Sequence, residues 1–157
     1  MTAERVRLRD CSFFEQFAPS HIEALERFCS QHEFEKDEII LREGDASGKF
    51  YLIVSGTVAL EAELAGQRVR FDTLFTGKGL GMSAVLGRRN EFQARALGKV
   101  GLLGFDVRQL QQAFDADPLL ARRFLERLLR LAAERVQVAR RQLDSLAQGR
   151  APSGHAA

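Results

Sequence analysis

The sequence is poor in the residues that most specialised chemistries require. It has only two cysteines, Cys11 and Cys29. They sit at no metal-ligand spacing, and two thiolates cannot supply the four ligands of an iron–sulfur cluster. They read as reduced thiols, which points to a cytoplasmic protein. No apolar run approaches the roughly 18 residues of a membrane-spanning helix, so no membrane role is expected. The N-terminus, "MTAERVRLRD", is charged and lacks the apolar core of a signal peptide. A net charge of +2 is too small to argue for nucleic acid. His21 and His32 flank a helical stretch with no nucleophile or metal partner at a usable spacing. They read as surface or helix-end histidines. Glu61 and Glu63 share one face of a strand, and a solvated face is their simplest role. No catalytic residue and no metal site is expected, and the chain does not read as an enzyme.

What remains is an ordinary globular composition. The 157 residues suffice for one domain with a sizeable core, at 45% apolar and 28% charged content. The pattern changes twice along the chain. Through about residue 35 it looks helical: in "PSHIEALERFCSQHEF", Ser20 and Glu23 form a capping box. Ile22, Leu25, Phe28 and Cys29 then recur at helical spacing.

From about residue 36 to 105 the chain is strand-like and rich in glycine. "EIILRE", "FYLIVSG", "TVALEAEL", "RVRFDTLF", "FQARAL" and "VGLLGF" are short β-type runs between turns. Such spacing predicts an antiparallel sandwich or barrel rather than βαβ units. Gly56 interrupts the most strand-like stretch, where a corner or bulge needs a residue without Cβ.

The last zone is helical again. Asp106 is placed to cap "VRQLQQAFDAD", and Asp117–Pro118 is a strong helix start. From there to about Leu146 no glycine or proline occurs. Leu125, Leu129, Ala132, Val136, Ala139, Leu143 and Leu146 repeat at alternating spacings of 4 and 3, a coiled-coil seam. A neighbouring stripe, Leu120, Phe124, Leu128 and Leu131, should pack on the strand domain, leaving the seam for a second copy. Arg122, Arg123, Arg127, Arg130, Arg135, Arg140 and Arg141 would make the outer face basic, a solvated face with i,i+4 pairs. Residues 149–157 read as a disordered tail.

Order and motif together resemble the cyclic nucleotide-binding domains of the CRP/FNR superfamily. "LREGDASGKFYLIVSGTVAL" is similar to the family hairpin, with Gly44, Asp45, Tyr51, Ile53, Gly56 and Val58 at its fixed positions. The resemblance covers residues 10–148 and implies an α+β fold: an antiparallel double-stranded β-helix, or jelly-roll-like β-roll, flanked by N-terminal helices and a long C-terminal dimerisation helix at about 118–147. It also implies a phosphate-binding cassette. In that cassette, backbone N–H groups at a helical turn and an arginine hold a phosphate, and a glutamate accepts from the ribose. Here the cassette is "FTGKGLGMSAVLGRRNEFQARAL". Met82 follows Gly81 where the family has glutamate, and Phe92–Gln93 replaces its arginine and hydroxyl residue. Losing two charged hydrogen bonds costs roughly 10²–10⁴-fold in affinity, so cAMP is expected to bind weakly. The run "GMSAVL" resembles a group of bacterial single-domain proteins of this superfamily that carry "G-W-S" here and lack the same anchors.

The candidate ligand contacts are Gly79, Leu80, Gly81, Met82, Ser83, Ala84, Gln93 and Arg95, with Lys78, Arg88 and Arg89 as further cations. The leading reading is a homodimeric sensor domain whose ligand would be a cyclic nucleotide or another small anion; the alternatives are a CRP/FNR-family transcriptional regulator and a degenerate dimerisation module with no ligand. About 10 residues follow Leu146, too few for a helix-turn-helix, so no intrinsic DNA-binding domain is expected and the output requires a partner protein.

Overall fold

The computed structural model describes residues 5–149. Eight strands run as β1 (Cys29–Phe34), β2 (Ile39–Leu41), β3 (Lys49–Ser55), β4 (Val58–Leu64), β5 (Gln67–Leu74), β6 (Gly79–Leu80), β7 (Gln93–Ala96) and β8 (Val100–Asp106). Four helices accompany them: α1 (Pro19–Glu26), α2 (Met82–Val85), α3 (Val107–Ala116) and α4 (Pro118–Ala147). The strands form two four-stranded sheets, ordered β1-β8-β3-β6 and β2-β7-β4-β5, with every pairing antiparallel. This is the expected β-roll.

Alternation along the strands divides the core in two. Phe50 lies opposite Phe105 and Leu52 opposite Leu103, and these four face the helices. Ile53 and Leu102, one residue out of phase, turn inward to meet Val58, Leu60, Ala94 and Ala96 of the other sheet. The corner between β3 and β4 is Gly56, at φ +86°. A Cβ there would lie 2.3 Å from the Lys99 carbonyl oxygen, so only glycine fits.

The N-terminal zone differs from expectation. α1 starts with Pro19 at its first position, and the cap residue is Ala18. Ser20 and Glu23 are therefore inside the helix, not a capping box. Ile22 and Leu25 do reach the core, but the helix stops at Glu26. Cys29 to Phe34 then pairs with β8 from Cys29–Phe105 to Phe34–Val100. The roll thus begins about seven residues earlier than the composition suggested. The register explains it: Ser30, His32 and Phe34 share the face of Gly104, Leu102 and Val100, and this edge strand continues the sheet.

The two C-terminal caps form as read. Asp106 accepts from Gln109 N at 3.1 Å, and Asp117 accepts from Leu119 N and Leu120 N at 3.1 and 3.2 Å. His21 Nε2 lies 3.0 Å from the other Asp117 oxygen, tying α1 to this cap. Helix α4 runs for 30 residues, or about 45 Å at 1.5 Å per residue. Leu120, Phe124 and Leu128 are buried in the helix-side core, with Leu131 packed against it. That stripe performs the expected role.

Candidate functional site

The cassette lies between β6 and β7, with α2 as its single turn. Two glycines let it approach β3. A Cβ on Gly81, at φ +77°, would stand 2.6 Å from the Lys49 carbonyl oxygen, and one on Gly79 would meet the Phe50 ring at 2.9 Å. Leu80, Gly81, Met82 and Ser83 line a cavity of about 420 Å³. Opposite them stand Phe71 and Phe92, with ring centroids 4.4 Å apart. Helix α4 closes the third side with Ala132, Arg135, Val136 and Ala139. Of the expected contacts, Ala84 is instead buried in the core, and Gly79 takes part through its carbonyl, which accepts from Arg135 Nη2 at 2.6 Å.

Gln93 and Arg95 do share one face of β7, but it is the outward one. Ala94 and Ala96 take the inward positions, so their neighbours must point away from the roll interior. There both meet Glu61, which is buried rather than solvated. Arg95 donates Nε and Nη2 to its two carboxylate oxygens at 3.1 and 2.7 Å, and Gln93 Nε2 donates at 3.1 Å. The Arg95 hydrogen bond holds the Glu61 carboxyl below its ordinary range. Burial pushes the other way, and Gln93 adds to the lowering. A carboxyl whose folded pKa lies below its unfolded one contributes stability above about pH 4.5, and that contribution is lost as the pH falls further. Arg95→Ala is expected to lower stability at neutral pH by about 1–3 kcal/mol, less than for a wholly buried pair. The reason is that 28% of the Arg95 side chain meets solvent. Urea unfolding at pH 6 and pH 3 should then differ less in the variant than in the parent. An unchanged difference removes Arg95 from this role.

The remaining cations divide. Arg89 donates to the Gly44 carbonyl at 3.1 Å, and Lys78 pairs with Glu134 of α4. Arg88 lines the cavity and makes no side-chain hydrogen bond or ion pair with another described residue. The basic face expected of α4 is thinner than the sequence suggests. Arg127 reaches back to the Glu15 carbonyl at 2.7 Å, Arg135 to Gly79, and Gln142 beyond them to the Phe71 carbonyl. Arg135 is the cavity-lining arginine that the sequence reading places on the solvated face. It continues the stripe Leu128, Leu131 at spacing 4 and is followed by Val138 and Gln142, the pattern of the face that lies on the roll. Asn90 also lines the cavity. Its Nδ2 donates to the Arg42 carbonyl at 3.0 Å, while its buried Oδ1 has no partner among the described residues.

These residues do not fit a cyclic nucleotide held in the way the resemblance implies. Met82 and Phe92 stand where a glutamate and an arginine would serve ribose and phosphate, and both turn apolar surface to the cavity. A larger hollow of about 1010 Å³ lies between the N-terminal segment and β1, at the opposite edge of its sheet from β6. Arg5, Arg7 and Arg9 with Glu26 and Glu33 give it mixed charge. Among the described residues no group of three His, Cys, Asp or Glu could hold a metal, and no helix is long and apolar enough to cross a membrane.

Comparison with known proteins agrees with this fold. Residues 31–117 match the family model of the cyclic nucleotide-binding domain. A cyclic nucleotide-binding domain from Methylobacillus flagellatus KT superposes with a TM-score of 0.77 at 21% identity, over 87% of this chain and 79% of that one. The catabolite activator protein of Thermus thermophilus gives 0.68 at 25% identity, over 86% of this chain and 62% of its own. The c-di-GMP responsive global regulator CLP of Xanthomonas campestris gives 0.73 at 21% identity, over 83% and 65%. No curated protein sequence matches the chain. With its β-roll, its cassette and the match over residues 31–117, the chain belongs to the family of cyclic nucleotide-binding domains.

Proposed function

We propose that the chain is a homodimeric sensing domain of the cytoplasm, in which helix α4 pairs with its twin and the cassette cavity biases that pairing. One observation carries the reading. Ala132, Val136 and Ala139 line the cavity and also stand on the coiled-coil seam. Whatever fills the cavity therefore touches the pairing face. By linkage, occupancy and pairing must influence each other to the same extent. The seam's large side chains favour a second copy: Leu129, Val136 and Leu143 are 70, 68 and 66% exposed, an apolar row too regular for a solvated face. Two free cysteines, with the Cys29 thiol pushed up to about 11 by burial, suit a reducing compartment. The signal would leave through a partner protein that reads the α4 pair.

Two measurements on the full chain test this. Sedimentation should give twice the chain mass of 17.6 kDa at micromolar concentration. Thermal unfolding with about 1 mM cAMP, cGMP or c-di-GMP should show no rise in Tm, since a ligand at 100 times its Kd would add about 2.7 kcal/mol, or roughly 5–10 °C for a domain this size. A monomer overturns the pairing. A rise of that size with cAMP or cGMP overturns the view that this cradle has turned away from nucleotide phosphate.

A further inference from the structure

We infer that the cassette cavity takes a monoanion on an apolar body, of the aryl- or alkylcarboxylate class, with Arg135 of α4 as the partner of its charge. The inference rests on the sensing role proposed above and gives that site a ligand class. Its walls are mostly hydrocarbon: Leu41, Leu60, Phe71, Leu80, Met82 and Phe92. A volume of about 420 Å³ is within the ordinary range of small-ligand sites. A neutral hydrocarbon would suit those walls alone, but two guanidinium groups, Arg88 and Arg135, also line them, against the single carboxylate of Glu91 at the exposed rim.

Arg135 has donors to spare. A guanidinium carries five N–H groups, and one hydrogen bond, to the Gly79 carbonyl, is formed. Burial pushes its pKa down, with Asp72 working the other way, so a charge in this place lacks solvation that an anion would restore. The cation missing at Phe92, the residue before strand β7, is supplied from helix α4. A phosphate needs more convergent donors than this. The Ala84, Leu86, Gly87 and Arg88 amides donate within the α2 turn, to the Gly81, Ser83 and Ala84 carbonyls. Glu91 on the rim further disfavours a dianion relative to a monoanion.

Titration calorimetry of the full chain with 1-naphthoate and with its neutral isostere 1-naphthamide tests the assignment. Naphthoate should bind, and naphthamide should bind about 10–100-fold more weakly, the range for one charge-assisted hydrogen bond. Arg135→Gln keeps a donor for the Gly79 carbonyl and removes the charge. It should weaken naphthoate by the same factor and leave naphthamide unchanged, and Arg135→Lys should recover part of the loss. Arg88→Ala should weaken naphthoate less than Arg135→Gln does. The inference is overturned if naphthamide binds as tightly as naphthoate, if Arg135→Gln binds naphthoate like the parent, or if a folded dimer binds neither. In that last case the dimer itself keeps the proposed role intact, whereas a monomer that binds naphthoate would sink the role and leave the ligand class standing.

Discussion

Phe124→Ala is expected to lower the free energy of unfolding by about 3–5 kcal/mol, the range for emptying a wholly buried aromatic site. Phe124 has 0% exposure and meets rings from four separate segments. Its centroid lies 5.0 Å from Phe13, 5.7 Å from Phe50, 6.4 Å from Phe105 and 5.3 Å from Phe114. Those partners belong to the N-terminal turns, β3, β8 and α3. Each such ring pair contributes about 0.5–1.5 kcal/mol beyond simple burial, so neighbours cannot relax into the hole without losing their own geometry. Against a total of about 5–15 kcal/mol, the loss is large enough to populate unfolded chain at ordinary temperature. Urea unfolding should show a lower midpoint at an unchanged slope. Leu119→Ala, at a helix position 70% exposed, should stay within about 0.5 kcal/mol of the parent. A loss below about 1 kcal/mol for Phe124→Ala would mean that the aromatic cluster is not what joins α4 to the roll.

Features fixed by a few neighbouring residues were legible in the sequence. Asp106, and Asp117 with Pro118, state their own helix starts, and Gly56 marks its corner because no other residue tolerates the approach of Lys99. Features fixed by distant partners were not. Residues 29–34 read as helix because Phe28 and Cys29 continue the spacing of Ile22 and Leu25. Nothing local reveals that β8, some seventy residues on, offers them a sheet edge. At the start of α1, proline at the first position outweighed the polar pattern of Ser20 and Glu23. The same division runs through the site. Met82 and Phe92 were readable as apolar substitutes for polar anchors, and both line the cavity. For Gln93 and Arg95 the alternation was certain but its phase was not. Two alanines are a weak sign of an inward face, and the deciding partner, Glu61, is 34 residues from Arg95.

Leu129→Glu is expected to convert the proposed dimer to monomer at concentrations where the parent is paired. A two-fold seam places both copies of residue 129 at the interface, so one substitution acts twice. Each copy loses about 1.5–3 kcal/mol of leucine burial and gains a carboxylate that must be desolvated. Two losses of that size raise Kd by roughly 10²–10⁴-fold before any charge repulsion is counted. Leu129 is 70% exposed in the single chain and does not line the cassette cavity, so the fold and the naphthoate site should survive the change. Leu119→Glu is the matched control. It is equally exposed, but it precedes the first seam residue, Leu125, and lies outside the alternating 4 and 3 repeat, so it should leave the dimer intact. Sedimentation of the three proteins side by side separates the cases. A Leu129→Glu protein that stays dimeric would place the pairing surface elsewhere on the molecule. It would also break the link between cavity and partner helix, because Ala132, Val136 and Ala139 couple the two only if the seam is where copies meet.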